Sequence, residues 1–137
     1  MIAAVCFGTN NLARAGEFYD EVLGVLGMKR LKANEIEIGY GETGGEPSFW
    51  ILLPFNRESA THGNGTQIIF NAPDQESVDL FYQKAIELGG TDEGAPGLRD
   101  YAPGYYGAYC RDLDGNKLHL YVTVSYTHLT LPTTPYV

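Results

Sequence analysis

NLARAGEFYDEVLGVLG, residues 11–27, and DQESVDLFYQKAIELGG, residues 74–90, repeat one plan 63 residues apart. Aligning Asn11 with Asp74 sets Phe18-Tyr19 over Phe81-Tyr82 and Gly27 over Gly90. Each stretch reads as an amphipathic helix, because its apolar residues recur at three- and four-residue spacing. Leu12, Ala15, Tyr19, Val22, Leu23 and Leu26 share one face of the first helix. Val78, Phe81, Tyr82, Ala85 and Ile86 share one face of the second. Asn10 or Asn11 caps the first and Asp74 the second, since their side-chain oxygens accept from unpaired first-turn N–H groups. A glycine past each helix accepts the left-handed turn of a C-cap.

Working outward, the flanking segments read as strands. Residues 2–8 and 66–71 precede the two helices; residues 28–34, 36–40 and 48–54 follow the first. After the second helix comes GTDEGAPGLRDYAPG, residues 90–104, expected to be a loop that replaces a degraded strand. Residues 105–111 and 117–123 are strands, joined by Asp112-Leu113-Asp114-Gly115-Asn116, whose Asp-Gly pair is a hairpin signal. The plan is an α+β fold of two βαβββ modules, one spanning about residues 1–56 and the other about 64–123. The 137-residue chain has room for one core and not for two ordinary domains.

A formal net charge of -8 makes nucleic acid and anionic membrane poor partners, and no apolar run reaches membrane-spanning length. The first residues lack the basic start and long apolar stretch of a signal peptide, so a cytoplasmic location is expected. Cys6 and Cys110 make no disulfide framework and are expected as buried free thiols. Residues 124–137, VSYTHLTLPTTPYV, carry no charge and resemble a translated sequencing adaptor read from an environmental contig. They are set apart from the single domain at 1–123, and His128 within them takes no catalytic role.

The opening VCFGTNNLARAGEFYDEVLGVLG resembles the vicinal-oxygen-chelate superfamily, which includes glyoxalases, bleomycin-resistance proteins and extradiol dioxygenases. RDLDGNKLHLYV is similar to that family's final hairpin, and GNGTQIIFNAPDQESVDLFYQKAIELGG to the start of its second module. The resemblance implies two modules curling mixed sheets around a small-molecule cleft, often paired across a homodimer. Metal-dependent members chelate a divalent ion at four matched strand positions, and these fall on Ala4, Trp50, Gln67 and His119. A methyl and an indole cannot ligate, so the expectation is a cleft without metal or other cofactor. His62 is expected as an exposed loop histidine.

Alternation sets Ala4, Cys6, Gln67, Ile69, His119 and Tyr121 on one sheet face, with Trp50 beside them. Tyr101, Tyr105, Tyr106 and Tyr109 sit at or just before a strand of that face, where they can stack on a flat ligand or simply pack the strand. Arg99 can pair with a ligand carboxylate or phosphate or remain a solvated loop residue. The ligand-binding candidates are therefore Trp50, Gln67, His119, Tyr121, Tyr105, Tyr109 and Arg99, with His119 also the catalytic candidate. Three functions stay open. One is sequestration of a small aromatic or cationic molecule, the acidic chain favouring a cation. The others are a metal-dependent lyase or dioxygenase, and a metal-free enzyme with His119 as general base.

Overall fold

A computed structural model describes residues 1–125. Of the expected tail only residues 124 and 125 are among them; the rest, His128 included, lies outside the described residues. Module one runs β1 (Val5–Gly8), α1 (Leu12–Val25), β2 (Lys29–Ala33), β3 (Glu37–Gly41) and β4 (Phe49–Leu52). Module two runs β5 (Gln67–Asn71), α2 (Gln75–Glu87), β6 (Thr91–Leu98), β7 (Tyr105–Arg111) and β8 (Lys117–Thr123). The repeat therefore holds element for element. Each module forms a four-stranded mixed sheet, in the orders β1-β4-β3-β2 and β5-β8-β7-β6. In both, the first strand pairs in parallel with the last.

The caps follow the sequence. Asn11 accepts from the Arg14 N–H and Asp74 from the Ser77 N–H. The left-handed residues beyond the helices are Gly27 (φ 81) and Gly89 (φ 103), so the second helix stops one residue earlier than the alignment with Gly90 implies.

One expectation is overturned. The Gly/Pro-rich segment after α2 is not a loop in place of a strand; it is the eight-residue strand β6, paired antiparallel with β7. Its ladder shifts register between Asp92 and Gly94 and again between Gly94 and Gly97. Pro96 falls within the second shift, and β6 lies at the sheet edge, so the missing proline N–H costs no ladder bond. Gly94 stands at φ 151, open to glycine and strained for other residues.

Each sheet packs one face on its own helix. Phe7, Ile38, Tyr40, Phe49 and Ile51 from module one and Ala108, Cys110, Leu118, Leu120 and Val122 from module two are buried there. Helices α1 and α2 pack directly on each other, and no strand of one sheet runs beside a strand of the other. A run of aromatic rings crosses the junction: Phe7 to Phe49 at 5.6 Å, Phe49 to Phe70 at 5.8 Å and Phe70 to Phe81 at 6.1 Å.

The β7–β8 turn is the second junction. Buried Asp112 accepts from the Tyr19 hydroxyl at 2.6 Å, from Asn116 Nδ2 at 2.9 Å and from the backbone N–H groups of Asp114 and Asn116. Asn116 Nδ2 also donates to the Gly8 carbonyl, while Asp114 accepts from the Thr9 hydroxyl and the Asn10 N–H. Burial pushes the Asp112 carboxyl above the ordinary range, and its four donors hold it back. Tyr19→Phe removes one donor from a buried acceptor and is expected to destabilise the chain by about 2 kcal/mol. Urea unfolding checks this: the midpoint should fall with the slope unchanged.

Candidate functional site

Because β7 and β8 give Ala108, Cys110, Leu118 and Leu120 to the helix side, alternation turns Tyr105, Tyr109, His119 and Tyr121 to the other face. On that open face the rings touch one another. Tyr105 stacks on Tyr121 with centroids 4.6 Å apart and planes 6° from parallel. Tyr109 lies against the His119 ring at 4.2 Å, as the pair directly opposed in the β7–β8 ladder. Tyr101, from the loop after β6, meets Tyr105 edge-on at 5.0 Å and contacts the Tyr109 hydroxyl through its own at 2.5 Å. Gly107 lies beneath this group, where a Cβ would sit 3.0 Å from the Leu120 carbonyl oxygen and touch His119 and Tyr105.

His119 is buried within the group, at 3% exposure. Its Nε2 is 3.1 Å from the Tyr105 hydroxyl, and its Nδ1 has no hydrogen-bond partner. Burial pushes its pKa down to about 4, helped by the nearby charges of Arg99 and Lys117. The imidazole is thus neutral at neutral pH and a weak base. Burial and the Tyr101 hydroxyl also push Tyr109 upward, so Tyr109 is a neutral hydroxyl.

Arg99 and Lys117 flank the same ring. The Arg99 guanidinium carbon is 5.5 Å and the Lys117 ammonium 5.1 Å from the Tyr109 centroid, within cation–π range. Arg99 is anchored by the irregular strand before it, donating to the Ala95 carbonyl at 2.7 Å and to the Leu98 carbonyl. The glycines of that strand make the room. A Cβ on Gly94 would lie 3.2 Å from Arg99 Nη2 and 3.0 Å from the Tyr109 ring, and one on Gly97 would lie 3.1 Å from Arg99 Nη1.

The other candidates separate by module. Gln67 is exposed on β5, whose ladder pairs it with Lys117, and Ile69 beside His119 is half exposed. Trp50 lies on the open face of the first sheet, next to Cys6, with its ring over Gly39 so closely that a Cβ there would sit 2.8 Å from two ring carbons. Among the described residues no hydrogen bond, ion pair or ring contact joins Trp50 to the tyrosine group.

Tyr106 leaves that group, turning to the helix side where its hydroxyl donates to Asp79. His62 packs on the hairpin turn instead, with Nδ1 3.3 Å from the Asp114 carbonyl oxygen. Cys6 is exposed, not buried as expected: its neighbours Val5 and Phe7 take the helix side, so alternation turns the thiol outward. Burial of part of its side chain and the charge of Glu37 push its pKa up, away from a reactive thiolate. Lys117 was not among the sequence candidates, although the alternation that exposed His119 and Tyr121 on this face also includes residue 117.

The residues at the four chelating positions do not fit a divalent ion. Ala4 has no donor, the Trp50 indole has no free lone pair, and His119 engages Tyr105 through Nε2 while its Nδ1 is buried away from the surface. Only Gln67 keeps an available oxygen. Among the described residues no three His, Cys, Asp or Glu side chains gather closely enough to hold a metal. Every copy of the chain has the same residues at these positions, so pairing modules across two copies changes nothing in the donor set.

A model of the Glyoxalase/Bleomycin resistance protein/Dioxygenase superfamily matches residues 2–120. The chain belongs to this superfamily. A glyoxalase/bleomycin resistance protein from Albidiferax ferrireducens T118 is 40% identical, with a TM-score of 0.78 over 88% of this chain and 96% of that one. A glyoxalase/bleomycin resistance protein/dioxygenase family enzyme from Burkholderia phytofirmans PsJN is 20% identical, with a TM-score of 0.70 over 90% of this chain and 98% of that one. At that identity the second likeness concerns the fold alone. No curated protein matches the sequence.

The neutral His119 has a measurable consequence. Its folded pKa lies below that of an unfolded histidine, so the unfolded chain takes up a proton first as pH falls. The stability this residue contributes is present above about pH 6.5 and is lost as pH falls toward about 4. In NMR titration the His119 ring signals should stay in the neutral position between about pH 5.5 and 8. His119→Asn should flatten the acid-side fall in stability.

Proposed function

We propose that this superfamily member binds a small organic molecule on the open face of the second sheet, and does so without a metal ion. The observation that carries this is the set of rings at Tyr101, Tyr105, Tyr109, Tyr121 and His119, packed on one another on the side of the sheet away from α2. Aromatic walls with a few fixed polar groups are the usual make-up of a small-ligand site. Tyr105 and Tyr109 supply flat surface and neutral hydroxyls, and Tyr121 backs Tyr105 in parallel stacking. Gln67 and Arg99 lie at the margin as polar contacts, and Trp50 gives the first module's open face its own aromatic surface.

Binding is favoured over the two enzymatic readings for stated reasons. A metal-dependent lyase or dioxygenase needs donors that Ala4 and Trp50 do not have. Base catalysis by His119 works against the burial and the two cations that lower its basicity. The reading also includes a homodimer in which a second copy covers part of the open sheet faces, where Ile69 is half exposed. No helix among the described residues is long and apolar enough to cross a membrane.

The experiment combines elemental mass spectrometry with a thermal-shift screen of small aromatic molecules on tag-free protein. Metal should be far below one equivalent, and added Ni, Zn or Mn should leave the melting temperature unchanged. At least one aromatic molecule should raise it, and Tyr109→Ala should lower the affinity for that molecule about tenfold or more. A stoichiometric metal whose removal abolishes turnover would replace this reading with the lyase or dioxygenase one. Sedimentation at micromolar concentration should give twice the chain mass.

A further inference from the structure

The charge of the tyrosine wall runs opposite to the charge of the chain. The protein carries 17 acidic residues against 9 basic, yet three cations, Arg99, Arg111 and Lys117, serve the wall's two long strands and the loop beside them. Glu93 answers only one of them, pairing with Arg111 at 3.5 Å. Arg99 and Lys117 form no ion pair with any described carboxylate, and the adjacent Asp100 is exposed without one. Both are half-buried, so neither is simply a solvated surface charge.

Arg99 is also placed by construction. The bulged strand β6 bends around it, two of its backbone carbonyls hold the guanidinium, and glycines stand where any Cβ would crowd it. Lys117 approaches the same ring from β8. The hydroxyls of Tyr105 and Tyr109 are engaged within the group, with His119 Nε2 and the Tyr101 hydroxyl. The site therefore offers flat aromatic surface and two positive charges without a counter-ion among the described residues.

We infer that the ligand is a flat organic anion of the aryl carboxylate type, its ring on the tyrosine wall and its carboxylate received by Arg99 and Lys117. A guanidinium matches a carboxylate in two parallel hydrogen bonds, and an ammonium adds a compact charge beside it. This reverses the cationic ligand that the overall charge suggests, because recognition follows the field of the site and the net charge acts mainly on solubility and encounter. Burial lowers the basicity of His119 most, and the charges of Arg99 and Lys117 lower it further. The inference rests on the small-molecule reading proposed above.

Calorimetric titration of the native protein with three naphthalenes of matched shape tests it: naphthoate, the uncharged naphthamide and the cationic naphthylmethylammonium. At low salt naphthoate should bind about tenfold or more tightly than naphthamide, and the cation most weakly. In an Arg99→Gln/Lys117→Gln variant of unchanged melting temperature, naphthoate should lose about tenfold or more in affinity and its preference over naphthamide should vanish. Equal binding of the three by the native protein, or a preference that survives the double substitution, overturns the anion inference and leaves the small-molecule reading standing. If none of the three binds at millimolar concentration, both readings fall. The native comparison decides the matter even if the double variant does not fold.

Discussion

A single carboxylate, Asp112, is buried where the two modules meet, and burying a charge is tolerated only when its lone pairs are met. Two of its donors come from its own turn backbone, one from Asn116 and one from Tyr19 of the other module. The same turn sends Asn116 to the end of β1 and receives Thr9 and Asn10 on Asp114. What reads locally as a hairpin turn therefore also ties α1 and the end of β1 to the second module. Gly115 completes it, since its φ of 92 and the ring of His62 resting on it leave no space for a side chain.

With the junction fixed, the duplicated plan produces two open sheet faces of different chemistry. The first has one large ring lying on a glycine, Trp50 over Gly39. The second has a tyrosine group closed around one neutral imidazole. Of the four positions that the family resemblance matches to a chelating set, Ala4 and Gln67 are exposed, Trp50 is half-buried and His119 is buried.

Much of this was legible in the sequence because it depends on local periodicity. The helical repeats, their caps, the last two strands and the facing of His119 and Tyr121 all follow from spacings of two or of three and four residues. The segment around Gly94, Pro96 and Gly97 was misread because composition reports turn preference, and this strand is formed by its pairing with β7 despite that preference. Cys6 was misplaced for another reason: alternation set it on the face shared with Ala4, expected to be covered, and that face of β1 is open. Tyr106 and Lys117 needed only the parity of β7 and β8 to be assigned. The anchoring of Arg99 had no sequence signal, since its partners are backbone carbonyls whose direction depends on the bulges. Its neighbourhood to Tyr109 likewise belongs to the folded edge.

The irregular course of β6 has a further consequence, for how copies of the chain can meet. A regular edge strand exposes a row of unpaired N–H and C=O groups that a neighbouring chain can extend into a continuous sheet. Here that row is broken twice by register shifts and lacks a donor at Pro96, while the outer strand of the other sheet carries Lys29, Arg30 and Lys32. Neither β2 nor β6 offers a flat, uncharged template for addition, and the remaining sheet edges are β1 and β5. Where copies of the chain meet edge to edge, β1 (VCFG) and β5 (QIIFN) are therefore the edges without charge or register shift that a neighbour can extend.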